Sequence, residues 1–248
     1  MPTPFIYRIG PTGTGLTQAE MDNNMRAVYD HMSGYGFSLK AICGMIGCFV
    51  EESSMNPGIY ETGHGGDLSN LPYFPGGMGL GQWTDYPAYT AQYPNPLPWS
   101  AQREGRNWYD GEFQCWLCSM ANDSSYTSMG YGQGPRWGWL TDSSWPSIAW
   151  NTFKTWNGSI YDAVTYWFYD FEWHWWEVPT WVDFNARTAW GQYAYELLSG
   201  LTPDPPGPWP GPPGPGPWPE PEPGPGPYFP GEYKWWLFLR NYKIKKGN

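Results

Sequence analysis

Apolar positions recur at helical spacing from Met21 to Leu198, whereas strand-like alternation is sparse over the same stretch. Thr17-Gln18-Ala19-Glu20 has the Thr-x-x-Glu form of a capping box, and Met21, Met25, Val28, Tyr29 and Met32 follow it. A first helix is therefore expected from Gln18 to Ser33, closed by Gly34 and Gly36, after an irregular start rich in Pro and Gly. A second is capped by Ser38 and runs until Asn56-Pro57 stops it, because proline disfavours a helical conformation in the residue before it. At about 100° per residue, Leu39, Ile42, Ile46, Phe49, Val50 and Ser53 share one face of this helix. Met45 and Glu52 fall on its flank, and Lys40, Gly47 and Glu51 lie opposite. Further helices are predicted around Gly111 to Ala121, around Ser147 to Thr155, from Ser159 to Trp173, and from Asp183 to Leu198. In the last of these, Ala186, Ala189, Tyr193, Ala194 and Leu197 make the apolar stripe, and Gly200 stands where a C-terminal cap belongs. Gly58 to Gly81 has little periodicity and reads as a loop or small hairpin region. The fold class expected is mainly α with a small β-hairpin/loop region.

Composition changes this picture at the carboxyl end. The 28 prolines of the 248-residue chain are concentrated between Pro203 and Pro230, where neither helix nor sheet can form. Three parts are expected: one helical domain over 1–200, a Pro/Gly-rich linker over 201–231, and a tail over 232–248. Glycine is not at every third position, so collagen is excluded, and the linker should be a stiff spacer reaching on the order of 90 Å if fully polyproline-like. In the tail, Lys234, Arg240, Lys243, Lys245 and Lys246 oppose Glu232, and Tyr233, Trp235, Leu237 and Leu239 alternate as on one side of an extended strand. Such a segment is aggregation-prone when free, so docking onto another protein or back onto the domain is expected.

A formal charge of −10 argues against a nucleic-acid partner, which calls for a basic face. With 19 Trp and 19 Tyr, many aromatics must lie at partly exposed positions, and an aromatic-lined binding surface is plausible. No segment approaches the ~20 apolar residues of a spanning helix, and no basic stretch followed by an apolar run opens the chain, so neither stable membrane insertion nor a secretory signal is expected. Cys43, Cys48, Cys115 and Cys118 form pairs five and three apart within predicted helices, unlike zinc-knuckle spacing, and read as buried thiols, with one cross-helix disulfide as the alternative. His64 and Asp67 in one loop read as solvent-facing polar residues rather than metal ligands. No metal or cofactor is expected.

The candidate chemistry centres on the second helix. Glu52, at the edge of apolar packing, is where desolvation would raise a carboxyl group toward the range useful to a general acid, whereas Glu51 should face solvent. Gly79-Leu80-Gly81-Gln82-Trp83-Thr84 follows. Its small residues let backbone approach a ligand, Gln82 offers a donor and an acceptor, and Trp83 offers a flat face that suits a sugar, the alternative being a turn followed by a core tryptophan.

Ala41 to Gly47, Glu52-Ser53-Ser54-Met55-Asn56-Pro57-Gly58 and Gly79 to Thr84 together resemble the phage tail lysozyme family, and in particular the lysozyme domain of tail-knob proteins of small podophages. Phe113-Gln114, Trp116-Leu117, Ala163, Tyr169 to Glu172, Arg187, Ala189, Tyr193 and Leu198 to Gly200 agree in order, so the resemblance covers about Leu16 to Gly200. It implies a lysozyme-like fold and a muramidase of the virion, at the tail tip or knob, cutting the β-1,4 bond of bacterial peptidoglycan, with other phage tail proteins as partners of residues 232–248. By the same resemblance Glu52 is the catalytic acid, Gln82 and Trp83 line the cleft, and Glu172 braces the fold. Cys48 stands where an Asn is usual, and Trp173-His174 where an Arg-Pro is usual.

Glycoside hydrolysis ordinarily uses a second carboxylate. Glu61, nine residues after Glu52, is the first candidate, with Asp67 and Asp85 behind it, and Thr84 is an alternative that would position water. A single-acid site also suits a lytic transglycosylase, in which the sugar's own hydroxyl attacks. From another class, the same cleft would serve a non-catalytic glycan-binding tail-tip protein.

Overall fold

The structure, a computed structural model, describes residues 1–62, 68–84, 94–123, 138–173 and 182–200. His64, Asp67, Asp85, His174 and the expected linker and tail lie outside the described residues. Helix α1 (Gln18–Gly34) opens on the expected capping box: the Glu20 N–H donates to the Thr17 side chain, and the Glu20 carboxylate accepts from the Thr17 N–H at 2.8 Å. Met21, Met25, Val28 and Met32 are buried as the spacing requires. Gly36 then takes a φ of +86°, which turns the chain into the next helix.

Helix α2 (Leu39–Ser53) is capped by Ser38, whose hydroxyl accepts from the Ala41 N–H at 3.2 Å. The spacing predicts one apolar face. Instead every residue from Ala41 to Val50 is buried, so α2 is the central helix of the domain. The cause lies in the two glycines that break its apolar run. A Cβ on Gly44 would stand 2.6 Å from Ala163, and a Cβ on Gly47 would run into the Arg187 carbonyl oxygen, so two other helices approach to backbone contact at these points. Those helices are α6 (Ile160–Trp167) and α7 (Phe184–Leu198), the principal neighbours of α2.

Among the described residues, the other α-helices are α3 (Pro96–Arg103), α4 (Gly111–Ser119) and α5 (Trp150–Lys154). Helix α3 is a finding beyond the periodic pattern: prolines in its first turn are compatible with a helix, and Asn95 caps it by accepting from the Leu97 N–H at 3.1 Å. The predicted helix from Ser159 to Trp173 changes character partway, since α6 passes into a π-helical turn over Phe168–Trp173. The apolar stripe of α7 is rotated from the one expected. Arg187, Trp190, Gly191, Tyr193 and Ala194 are its buried residues, while Ala189 is exposed. Gly200 follows with a φ of +77°, as a glycine just beyond a helix end does.

The β structure is small and not a simple hairpin. Strand β1 (Gly10–Pro11), in the segment expected to be irregular, pairs in parallel with β2 (Ile59–Tyr60), Gly10 opposite Ile59 and Pro11 opposite Tyr60. Met78 bridges antiparallel to both Tyr60 and Trp83. All four cysteines are buried free thiols. No helix among the described residues is long and apolar enough to cross a membrane.

Candidate active site

The chain leaves α2 through two consecutive left-handed residues, Ser54 (φ 51°) and Met55 (φ 59°). Two asparagines hold this reversal. Asn24 of α1 donates to the Met55 carbonyl at 2.8 Å. Asn56 accepts from the N–H groups of Arg8 and Gly58, each at 3.1 Å, and donates to the carbonyls of Arg8 and Thr14, each at 2.9 Å. All the hydrogen-bonding capacity of the Asn56 side chain is thus spent on backbone, and β2 is placed beside the amino-terminal segment.

Glu52 lies in the last turn of α2 and points at α7. Its Oε1 accepts from Arg187 Nη2 at 2.5 Å, and Arg187 Nη1 donates to Glu172 Oε2 at 3.1 Å. One guanidinium therefore serves two carboxylates. The Trp167 indole donates to the other oxygen of Glu172 at 3.1 Å, and the Phe168 ring lies against the guanidinium, 5.2 Å from ring centroid to Cζ. Exposure separates the three charged groups: the side chains of Arg187 and Glu172 are 3% and 7% exposed, and that of Glu52 is 23%. Glu52 is the member that reaches solvent. Glu51, expected to face solvent, is half-buried like its neighbour.

Burial dominates the electrostatics. It pushes the Glu172 carboxyl up to about 8, with Glu52 adding to the rise and Arg187, Trp167 and Cys48 opposing it. Burial also works against the charge on Arg187, but the carboxyl groups it faces, Glu52 first, outweigh it and hold the guanidinium protonated. The Cys48 thiol, one turn before Glu52, is likewise raised by burial and by Glu172.

The glycine-rich stretch forms the adjoining wall. Met78 and Trp83 exchange backbone hydrogen bonds of 3.1 and 3.0 Å around a tight turn in which Gly79 (φ 74°) and Gln82 (φ 47°) are left-handed. At Gly79 a Cβ would strike Leu97 of α3 and Gln114 of α4. Gln114 fixes the turn from beneath, accepting from the Leu80 N–H at 2.7 Å while donating to the carbonyls of Pro57 at 2.9 Å and Trp108 at 2.7 Å. The Gln82 amide donates to the Gly79 carbonyl at 3.0 Å, and its side chain covers Gly77. On the other side of Gly77, the N–H donates to Glu61 Oε2 at 3.2 Å. Glu61 and Gln82 therefore flank Gly77. Thr84 is half-buried at the end of the turn. Trp83 is buried, with its ring edge-on to Phe171 at 6.3 Å. Phe171 stacks on Trp167 at 4.1 Å, and Trp167 meets Phe49 of α2 edge-on at 5.8 Å. This chain of rings joins the glycine turn to the helix that carries Glu52.

Arg187 is a residue to which the sequence pattern alone assigns no role. A signal was available: it lies three, four and seven positions before Trp190, Gly191 and Ala194, a cation on the buried side of an amphipathic helix, which requires a charged partner. Among the described residues, no group of three His, Cys, Asp or Glu is arranged to hold a metal ion.

A mainly helical domain built on a buried central helix, with a small sheet beside it, is a lysozyme-like fold. Comparison with known families agrees: the phage tail lysozyme family matches residues 23–198, and the chain belongs to that family. Over 116 residues, 46% of the chain, it is 30% identical to Morphogenesis protein 1 of Bacillus phage B103. That match spans only 28% of the relative's length.

Proposed function

We propose that this protein is a virion-borne muramidase that cuts the β-1,4 bond between N-acetylmuramic acid and N-acetylglucosamine, with Glu52 as general acid. The observation that carries the reading is the partly exposed Glu52 carboxyl group at the end of α2, held by a guanidinium that is itself buried. A general acid must reach the glycosidic oxygen and must not wander, and Glu52 meets both needs. Family membership supplies the substrate class. Glu61, whose carboxylate is fixed by the Gly77 N–H, is the second carboxylate of the reading, and Gln82 and Thr84 line the cleft with it. Trp83, buried against Phe171, supports the turn that carries them. Glu172 braces the site through Arg187 and Trp167.

Clearing of purified peptidoglycan tests the assignment. Glu52→Gln should lower it by a factor of about a hundred or more, since the isosteric amide cannot donate a proton in the same way. Clearing at the wild-type rate would remove Glu52 from the mechanism, and a wild type that binds but never clears would make the protein a glycan-binding module. Mass spectrometry of the released muropeptides reads the outcome of the cut: reducing ends report attack by water, anhydro ends report lytic cleavage. Residues 232–248 are proposed to dock onto other tail proteins, on the strength of their basic and alternating apolar sequence. Their deletion should leave clearing unchanged and abolish incorporation into particles, which immunodetection on purified virions would measure.

A further inference from the structure

We infer that Glu172 is a positioning residue that holds the proton Glu52 needs in the free protein, and that a bound glycan moves the preferred place of that proton from Glu172 to Glu52. The inference rests on Glu52 being the general acid. It begins from a difficulty in that reading: Glu52 stands in an ion pair with Arg187 Nη2 at 2.5 Å, whereas a general acid must start protonated. A guanidinium facing one carboxylate would lock it in the charged form. Here it faces two, Glu52 and Glu172.

With one proton between them, the three groups sum to zero charge in either arrangement. Arg187 is balanced by Glu52 while Glu172 is protonated, or by Glu172 while Glu52 is protonated. Moving from the first to the second, a proton leaves the Glu172 carboxyl and one is gained by the Glu52 carboxylate, with no change in net charge and no electron transferred. Solvation decides between them. In the free protein Glu52 is the more exposed carboxylate, at 23% against 7%, so water stabilises charge on Glu52 and the proton belongs on Glu172. The rise of the Glu172 carboxyl by burial points the same way. A sugar placed over Glu52 removes that water. The charge is then better placed on Glu172, which already accepts from Arg187 and from the Trp167 indole.

Among the described residues, the groups facing Glu172 are the Trp167 indole of α6, the Arg187 guanidinium of α7, Glu52 and the Cys48 thiol of α2, and the Cys118 thiol of α4. Of these, only Glu52 can exchange the proton at neutral pH: the guanidinium stays protonated, and burial keeps both thiols protonated. The pairing also gives Arg187 a second role. As charge passes to Glu172, the guanidinium keeps an anionic partner and need not follow Glu52 when that group turns to the glycosidic oxygen.

Carbon-13 NMR of glutamate carboxyl groups tests this on the full chain. The resonance lost in Glu172→Gln should show a protonated shift at neutral pH in the wild type, and that lost in Glu52→Gln an ionised one. Addition of an N-acetylglucosamine oligomer should exchange the two. A Glu172 resonance that is ionised in the free protein overturns the inference, as does one that the oligomer leaves unchanged at saturation. In kinetics, Glu172→Gln cannot take the charge, so Glu52 stays paired with Arg187. Its kcat should fall about tenfold or more, the alkaline limb of its pH profile should move down by about one unit, and KM should hold within about twofold, with Glu172→Asp restoring the profile. A kcat loss with the wild-type pH profile would reduce Glu172 to a structural brace. Failure of the wild type to clear peptidoglycan would refute the muramidase reading alone, because the resonances of the free protein still locate the proton.

Discussion

Gly47 has a backbone carbonyl where a side chain would begin, and the carbonyl belongs to Arg187. Helix packing and the site are thereby joined at one residue. A methyl group there meets the Arg187 backbone and the Gly191 nitrogen, neither of which can rotate away as a side chain end could. Gly47→Ala is expected to destabilise the fold by roughly 1–3 kcal/mol, read as a lower urea midpoint. It should lower clearing by more than the unfolded fraction explains, because α7 carries Arg187 and would shift with it. Loss of activity in step with loss of fold would show that the contact serves packing alone. At this scale the sequence was informative about where Glu52 falls on its helix, at the flank of the apolar face, although Glu51, read as solvent-facing, is half-buried too. It was less so about what Glu52 touches. Arg187 sits 135 residues later in the chain, and no local pattern encodes a partner at that separation.

Among the elements, the amino-terminal segment does more than its irregular sequence announces. It supplies β1, its Thr3 amide and hydroxyl donate to Asp30 of α1 at 2.8 and 2.7 Å, and its Arg8 backbone is bound by Asn56. All of this lies before Asn23, where the family match begins. Asn56→Ala would leave two N–H groups and two carbonyls without the partner they have now, at a cost of about 2–3 kcal/mol. Amide hydrogen exchange should then quicken at Arg8 and Gly58 while α6 and α7 keep their protection, and uniform loss of protection would mean that the segment and the helices unfold as one. Long helices with caps were legible beforehand, because Thr17, Ser38, Ser159 and Asp183 each precede a periodic run. Two-residue strands carry no period to read. Helix α3 was hidden by Pro96 and Pro98, which look like loop residues until Asn95 is seen to cap them.

For the molecule as a whole, the buried carboxyl groups set how stability responds to pH. Burial raises Glu172 from 4.5 to about 8 and Asp170 from 3.8 to about 6, so across those intervals the folded state binds more protons than the unfolded state. Stability must then fall as pH rises through them. Glu20 acts in the opposite sense: the Arg8 side chain, with Thr17, draws it down to about 2, and its contribution is lost as pH falls below 4.5. Thermal unfolding should accordingly show greatest stability in mildly acidic solution and a decline toward pH 8. Glu172→Gln should flatten the decline between about 6 and 8 and leave the part due to Asp170 in place. An unaltered slope in that variant would assign the decline to other groups.

The four buried thiols bear on where such a chain can exist. Cysteine reacts as the thiolate, and burial opposes ionisation at each of these positions, holding Cys43 at about 12. None is available to an oxidant at ordinary pH, and no disulfide among them needs to form for the helices to pack. The domain therefore has the same covalent structure in a reducing cytoplasm, where thiols persist, as in an oxidising exterior, where exposed cysteines would pair. A protein made in the first setting and released into the second would cross between them without refolding.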